Sequence, residues 1–599
     1  MIRQASGSFG PYSIKLRAYR NCDDVFLCWR TFDSGESEKP IPDTLGFMIE
    51  RRRQDASGNW LEAEILRNRV GFKNPSSDGN AGTSQPSNIW PFQRYDWTDH
   101  GANSGQTVEY RISPMKLPQG GIVGATKLEP VFSSAWTGIV HVDATSENGV
   151  SAFFNRGTVM SQYVARIMRM NNWTARELIV HLSDLQEPLR RFLSGELRLE
   201  LLRLLDEAID NFSLSIYAAL YELDDDELIQ RLKKLKGRAH VLLSNGSDPA
   251  EDGNATAADE LHKTIDLRRR MLAYKGLGHN KFLILYDRFR HKALKAWSGS
   301  TNWSTTGLCT QLNNGILFED GNIASIYMTQ WRALENAQSG FTPALLSGNN
   351  DSPHDGGNQT SIWFTRVNRP ATGHTWARDI EALVDVVNRA REMILYVMFA
   401  PGEEPLQSIL QKGASGIYVR GVVNTVSSAL EETFSLAGLS QGAQYHTELI
   451  QPEGIGQDFA AWIEEVTRTE FLYPIQNPGV GHAITHAKMI VIDPWTDHCK
   501  VITGSHNFSK SASLDNDDNF VIIEGNQELA EAYAVACMST YEHYRWRAYL
   551  KDKVDAGEKP WSHLDAFPSW QSRYLASSAL KKHLELWCRD TSHAAVSPG

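Results

Sequence analysis

One short pattern occurs twice in this chain, and it limits what the chain can fold into. The second copy reads His486-Ala487-Lys488-Met489-Ile490-Val491-Ile492-Asp493, followed after a turn by Gly504-Ser505-His506-Asn507. The first reads His279-Asn280-Lys281-Phe282-Leu283-Ile284-Leu285-Tyr286-Asp287, followed by Gly299-Ser300-Thr301-Asn302. The spacing from His to Gly is similar in both. Apolar, β-branched runs of this length read as strands, and a period of two puts each His and its Lys on one face. Each Gly-Ser turn lets the backbone approach a ligand closely. One imidazole, one ammonium and one amide on a shared face suit a phosphate: a nucleophile or acid, a positive charge and an orienting donor. A single H-x-K is weak evidence, because basic side chains snorkel from surface strands. A second copy with matching Gly, Ser and Asn predicts an internal repeat.

The flanking sequence repeats too, with a period of about 200 residues. Residues 213–246 (SLSIYAALYELDDDELIQRLKKLKGRAHVLLSNG) read as strand, helix, strand, and so does the later stretch from Glu392 to Thr425. Phe153-Phe154-Asn155-Arg156 is echoed by Trp363-Phe364-Thr365-Arg366. Strands alternating with helices argue for α/β units and a mostly parallel sheet. A chain of 599 residues is too long for one core. The expected fold is multidomain: an all-β sandwich over 1–143, α/β repeats over 144–346 and 361–550, and an exposed linker over 347–360. A tail over 551–599 carries an amphipathic helix, Ser572 to Cys588, expected to pack on the catalytic body.

At the two blocks the chain resembles the phospholipase D superfamily, whose signature H-x-K-x4-D-x6-G-S-x-N is given twice per active site. The second block fits through Asp493; the first has one residue more before Asp287. The resemblance implies a pseudo-twofold catalytic body of two repeats, with mixed, mostly parallel sheets flanked by helices. It implies phosphodiester hydrolysis through a covalent phosphohistidine, with no metal and no cofactor. One of His279 and His486 attacks phosphorus; the other protonates the leaving oxygen and then activates water. The basic stretch around His279 favours it as the nucleophile. Lys281, Lys488, Asn302 and Asn507 hold the phosphate oxygens. Ser300 and Ser505 orient the turn or a histidine. Asp493 belongs to the signature, and Asn516 and Asp518 support the site, with Gln311, Asn313 and Asn314 in the corresponding place of the first half; of these, Asn314 is taken as the supporting residue. In the N-terminal part, Cys28-Trp29 on an early strand and Tyr110 on a late one are similar to fibronectin type III modules. Such a module is expected to dock a protein partner or a second copy.

The substrate is read from charge. Net charge is −11, yet Leu261 to Ala296 carries ten Lys/Arg against Asp266 and Asp287. Arg268, Arg269, Arg270 and Lys275 are expected to form a positive rim that draws in phosphates, with His482 within reach of it. A nuclease on DNA or RNA is therefore favoured. A phospholipase D acting on phosphatidyl lipids is the alternative and would want an interfacial apolar surface; a non-catalytic phosphate-binding scaffold is a third reading. Trp303 and Phe508, beside the two signature asparagines, are expected to be core anchors rather than base-stacking platforms. The first residues lack the apolar core of a secretory signal, no run approaches a membrane span, and six scattered cysteines suit a reducing compartment, so a cytoplasmic location is expected.

Overall fold

A computed structural model describes residues 3–34, 37–72, 84–157, 170–246, 252–272, 276–423, 485–555 and 563–589, with 164, 167, 168 and the backbone of 447–450. The chain divides into two compact units, one of residues 1–143 with 552–599 and one of residues 144–551.

The larger unit is built on two sheets. Among the described residues the first has seven strands, in the order Val150–Phe154, Asn314–Phe318, Lys292–Gly299, Lys281–Asp287, Leu214–Leu220, Ala239–Ser244, Asp266–Arg270. The second has eight, in the order His354–Gly357, Thr360–Phe364, Asn519–Glu524, Lys500–Gly504, Met489–Ile492, Met393–Met398, Tyr418–Val423, Thr447–Ile450. Leaving out the edge strand His354–Gly357, the two sheets run through their strands in the same order. Helices connect Leu214–Leu220 to Ala239–Ser244 and Met393–Met398 to Tyr418–Val423, and these pairs are parallel, as a helical crossover requires. The expectation of mostly parallel sheets is corrected. Both H-x-K strands join their successors through tight connections, so they pair antiparallel there, and antiparallel with Leu214–Leu220 and Met393–Met398 on the other side. Parallel pairing is confined to one end of each sheet.

Local signals explain the helices. In Asp226–Leu235 the Asp225 side chain caps Leu228 N–H, Asp226 and Glu227 lie in the first turn, and Lys233 and Lys234 lie in the last. That charge order complements the helix dipole, and Leu228, Ile229, Leu232 and Leu235 form the buried face. The helix joins the core of the first sheet with Ile216, Val241, Leu283 and Trp297. Trp303 and Phe508 are fully buried in the two cores, as core anchors are.

Residues 347–360 are not a bare linker. Thr342 caps the helix Pro343–Asn350, whose buried Asn349 donates from Nδ2 to the Arg366 carbonyl at 3.0 Å. His354–Gly357 then pairs antiparallel with Thr360–Phe364. The Gly- and Asn-rich composition here serves a helix end and a hairpin rather than an exposed connection.

Among the described residues the smaller unit holds two main sheets, with strand order Gln4–Phe9, Tyr12–Arg20, Val25–Phe32, Asp96–Asp99 in one and Glu129–Pro130, Thr107–Lys116, Gly46–Arg53, Glu64–Ile65 in the other, where Val140–His141 also pairs with Thr107–Lys116; Arg67–Asn68 and Gln85–Pro86 form a two-stranded third. Trp29, Tyr95 and Tyr110 are fully buried within it. The tail helix Ser578–Trp587 packs here, which corrects the expectation that it covers the catalytic body. Its Trp587 ring lies 4.5 Å from Phe26, and His583 lies 3.3 Å from Asp96. The preceding helix sends Trp570 into the sandwich, where the indole N–H donates to the Thr44 carbonyl at 3.0 Å. The apolar face of the tail is thus spent on the sandwich core. All six cysteines are free and buried. Cys28 lies 2.9 Å from Cys588 on the tail.

Candidate active site

The two H-x-K blocks meet, and each is completed by the opposite repeat. His279 Nδ1 lies 2.7 Å from Asp518 Oδ1, and Ser505 Oγ donates to the same oxygen at 2.7 Å. In the mirror arrangement His486 Nδ1 lies 2.9 Å from Asn313 Oδ1, and Ser300 Oγ donates to that oxygen at 2.8 Å. Both acceptors fix the tautomer: Nδ1 carries the proton and Nε2 is the remaining reactive nitrogen. The serines therefore orient the group behind the opposite histidine. Lys281 Nζ and Lys488 Nζ each donate to the carbonyl of their own block's histidine at 2.6 Å. His279, Lys281, His486, Lys488 and Asn302 are all buried, and Asn507 is half-buried.

The turns are glycine for a steric reason. A Cβ on Gly299 would lie 2.4 Å from the Asn314 carbonyl oxygen, and one on Gly504 would lie 2.3 Å from that of Asn519. Ser300 N–H and Ser505 N–H donate to those same carbonyls at 3.0 and 2.9 Å, which locks each turn against its neighbouring strand.

Asn313, not Asn314, is the residue that backs a histidine. Asn314 donates instead to Thr503 Oγ at 2.7 Å and to the Tyr533 hydroxyl at 3.2 Å, tying the two sheets together. Successive residues on a strand face opposite sides, so choosing the wrong one of two adjacent asparagines exchanges a site contact for a packing contact. Asp493 sits at the far end of its strand from Lys488. Its carboxylate accepts from the backbone N–H groups of Arg391, Glu392 and Met393 at 2.8 to 2.9 Å, so it braces the sheet rather than the phosphate site.

The expected positive rim is also corrected. Arg268 pairs with Asp266 and Glu335, and Arg269 holds Asp252 at 2.6 Å. Arg270 is buried against Asp517 and donates to the Gly340 carbonyl at 3.1 Å. Arg269 and Arg270 are thus committed to acids and carbonyls distant in sequence, while the exposed Arg268 is held between its neighbour Asp266 and the distant Glu335. Lys275 and His482 lie outside the described residues.

Five contributors were not assigned to the site from sequence. Tyr221 and Phe399 stand edge-on to His279 and His486, with ring centroids 4.7 and 4.9 Å away. Asn155 Oδ1 accepts from Asn313 N–H at 2.8 Å, and Thr365 Oγ accepts from Asp518 N–H at 3.0 Å, so each brackets a group behind a histidine. Their signal was the Phe-Phe-Asn-Arg and Trp-Phe-Thr-Arg echo. Glu222, next to Tyr221, accepts from Asn302 Nδ2 at 2.5 Å.

Burial sets the electrostatics. It lowers the His279 pKa to about 4 despite the opposing charge of Asp518. It also lowers His486 well below the ordinary range, helped by Lys488 and Lys281. Burial lowers Lys281 and Lys488 as well, and Lys281 adds repulsion on Lys488. Burial alone would raise Asp518, but the His279 charge and hydrogen bond outweigh it and the carboxyl stays below its usual range. Both imidazoles are thus neutral near pH 7, and the two lysine amines share a desolvated space in which a bound anion favours their protonated forms.

Residues 383–537 match a family described as cardiolipin synthase, PLD-like domain. A phospholipase D of Rickettsia conorii is 34% identical over 125 residues, which is 21% of this chain and 56% of the relative's length. These matches support the phospholipase D superfamily for the chain; the chain spans little more than half of the curated relative. Among solved structures, a polyphosphate kinase from Porphyromonas gingivalis is 12% identical at a TM-score of 0.35, covering 54% of this chain and 45% of that one. A yeast tyrosyl-DNA phosphodiesterase is 12% identical at 0.28, covering 53% and 84%.

Proposed function

We propose, with the phospholipase D superfamily as the premise, that this chain hydrolyses phosphodiesters through a covalent phosphohistidine, without a metal. The observation that carries the reading is the crossed support of two neutral, buried histidines: Asp518 behind His279 and Asn313 behind His486. Matching strand orders and reciprocal contacts support two repeats related by a pseudo-twofold axis through the site.

The unlike partners assign the roles. A carboxylate behind Nδ1 makes the His279 Nε2 more electron-rich and stabilises the positive charge the ring gains on bonding to phosphorus. An amide behind His486 offers no such charge, and this leaves its proton easier to release. His279 Nε2 attacks phosphorus; the bond to the leaving oxygen breaks, and that oxygen takes its proton from His486. A water then attacks phosphorus from the opposite side and gives its proton to His486. The P–N bond breaks and His279 returns to its starting form. Lys281, Lys488, Asn302 and Asn507 carry the oxygens of the transition state. The negative phosphate favours the protonated form of His486 when substrate is bound.

Nucleic acid is the substrate class proposed first, as a polymer of exposed phosphodiesters; with Arg268, Arg269 and Arg270 internally paired, it no longer rests on a positive rim. Phosphatidyl lipid is the second reading, favoured by the match to a relative named phospholipase D. The N-terminal unit is read as a fibronectin type III-like module that docks a protein or a second copy, and a cytoplasmic location goes with this reading. The test is cleavage of labelled single-stranded DNA, duplex DNA and RNA in EDTA, beside choline release from phosphatidylcholine vesicles, with His486→Ala as control. Cutting that survives EDTA and is lost in the variant supports a metal-independent nuclease. Choline release alone supports the lipid reading. Wild-type activity retained in His486→Ala would sink the two-histidine scheme.

A further inference from the structure

Besides Asp518 and Asn313, the two halves of the site differ at a second charged position. Leu220 pairs with Lys281 across the first sheet, and Val397 pairs with Met489 across the second, which brings Met398 opposite Lys488. Tyr221 therefore corresponds to Phe399, and Glu222 corresponds to Ala400. Only the first half places a carboxylate there. It is held in the site by Asn302, whose Nδ2 donates to Glu222 Oε2 at 2.5 Å while the Asn302 Oδ1 is buried with no partner among the described residues. Glu222 is half-buried and interacts electrostatically with both site lysines.

We propose that Glu222 sets the charge of the phosphate this site accepts, admitting the monoanion of a phosphodiester and disfavouring the dianion of a monoester or of inorganic phosphate. This deepens the phosphodiesterase reading and rests on it. Two buried lysines that take up protons as an anion enters would by themselves favour the more highly charged anion. Asp518 offsets part of that charge while it backs His279. Glu222 adds a second carboxylate, beside the phosphate-holding asparagine. It lowers the positive charge facing the phosphate further and leaves a site less favourable to a second negative charge. Hydrolysis of a diester produces a monoester, which loses its second proton with a pKa near 6. The same carboxylate therefore opposes retention of the product. With charges several ångströms apart at the effective dielectric of a protein interior, the discrimination between dianion and monoanion is about tenfold to a hundredfold.

The test uses the full chain as wild type, Glu222→Gln, which keeps an acceptor for Asn302, and the reciprocal Ala400→Glu. Binding of inorganic phosphate and of dimethyl phosphate is measured by calorimetry at pH 8, beside diester kcat and KM. In Glu222→Gln, phosphate is expected to bind at least about tenfold tighter while dimethyl phosphate shifts by less than about threefold. In Ala400→Glu, phosphate is expected to weaken selectively. An equal shift for both anions, or no shift for either, in an enzyme that still cleaves diesters overturns the charge-selection role and leaves the phosphodiesterase reading standing. A folded wild type that neither cleaves diesters nor binds either anion overturns both.

Discussion

Replacing Asp518 with Asn tests the division of labour between the histidines, because it removes a charge and keeps the shape. The amide oxygen can still accept from His279 Nδ1, which now lies 2.7 Å from the carboxylate, and from Ser505 Oγ, also at 2.7 Å. What is lost is the interaction between a carboxylate and the imidazolium character that His279 acquires as its Nε2 bonds to phosphorus. For unit charges about 4 Å apart at an effective dielectric near 20 this is roughly 4 kcal/mol. Hydrogen bonds to charged groups net about 1.5–3 kcal/mol in measured series. The second range is the better guide, because Asn516 and Ser505 also contact the carboxylate and reorganise in the variant. At 1.36 kcal/mol per factor of ten, phosphorylation of the enzyme slows about 10- to 150-fold. The assay is a rapid-quench single turnover on bis(p-nitrophenyl) phosphate, whose good leaving group needs little acid assistance. Wild type shows a burst of nitrophenol matched by phosphoenzyme on His279. Asp518→Asn shows the same burst amplitude at the reduced rate. His486→Ala forms the phosphoenzyme but holds it, because no base activates water. Phosphoenzyme mapped to His486, or a burst in Asp518→Asn within threefold of wild type, would refute the assignment.

Gly504→Ala drives a methyl group to 2.3 Å from the Asn519 carbonyl oxygen. The turn carrying Ser505 and Asn507 must shift, so a loss of about 1–3 kcal/mol is expected together with near-complete loss of turnover, read by melting and by diester hydrolysis. His279 is neutral in the fold, with a pKa of about 4 against 6.5 in an unfolded chain. As pH falls from about 6.5 toward about 4 the unfolded chain binds a proton that the folded site refuses, so up to about 3 kcal/mol of stability, complete above pH 6.5, is progressively lost. His279→Gln should flatten the fall in melting temperature between pH 7 and pH 5, and an unchanged slope would contradict it. Trp570→Ala removes a buried indole and its 3.0 Å hydrogen bond to the Thr44 carbonyl. It should destabilise the N-terminal unit by about 3–5 kcal/mol, seen as earlier proteolysis there, while diester hydrolysis is retained.

The sequence by itself determined which residues the proposed mechanism draws on. His279, Lys281, Asn302, His486, Lys488 and Asn507 stand out as a repeated pattern, and spacing on a strand is dictated by local geometry. The strand-helix-strand units were legible for the same reason, since period and capping are local. Tertiary structure decided what those residues touch. Asn313 rather than Asn314 reaches His486 because facing alternates along a strand whose register is set by pairing with Val150–Phe154 and Lys292–Gly299. Arg268, Arg269 and Arg270 read as a free positive rim until the fold brought Glu335, Asp252 and Asp517 to them, and an ion pair leaves no trace in the sequence around either partner. The tail helix showed an apolar face but not which core would bury it, because hydrophobic burial has no direction of its own. Glu222 was invisible as a site residue, since nothing singles it out from Asp224, Asp225, Asp226 and Glu227 until the fold sets it beside Asn302, in the place that Ala400 takes in the other half.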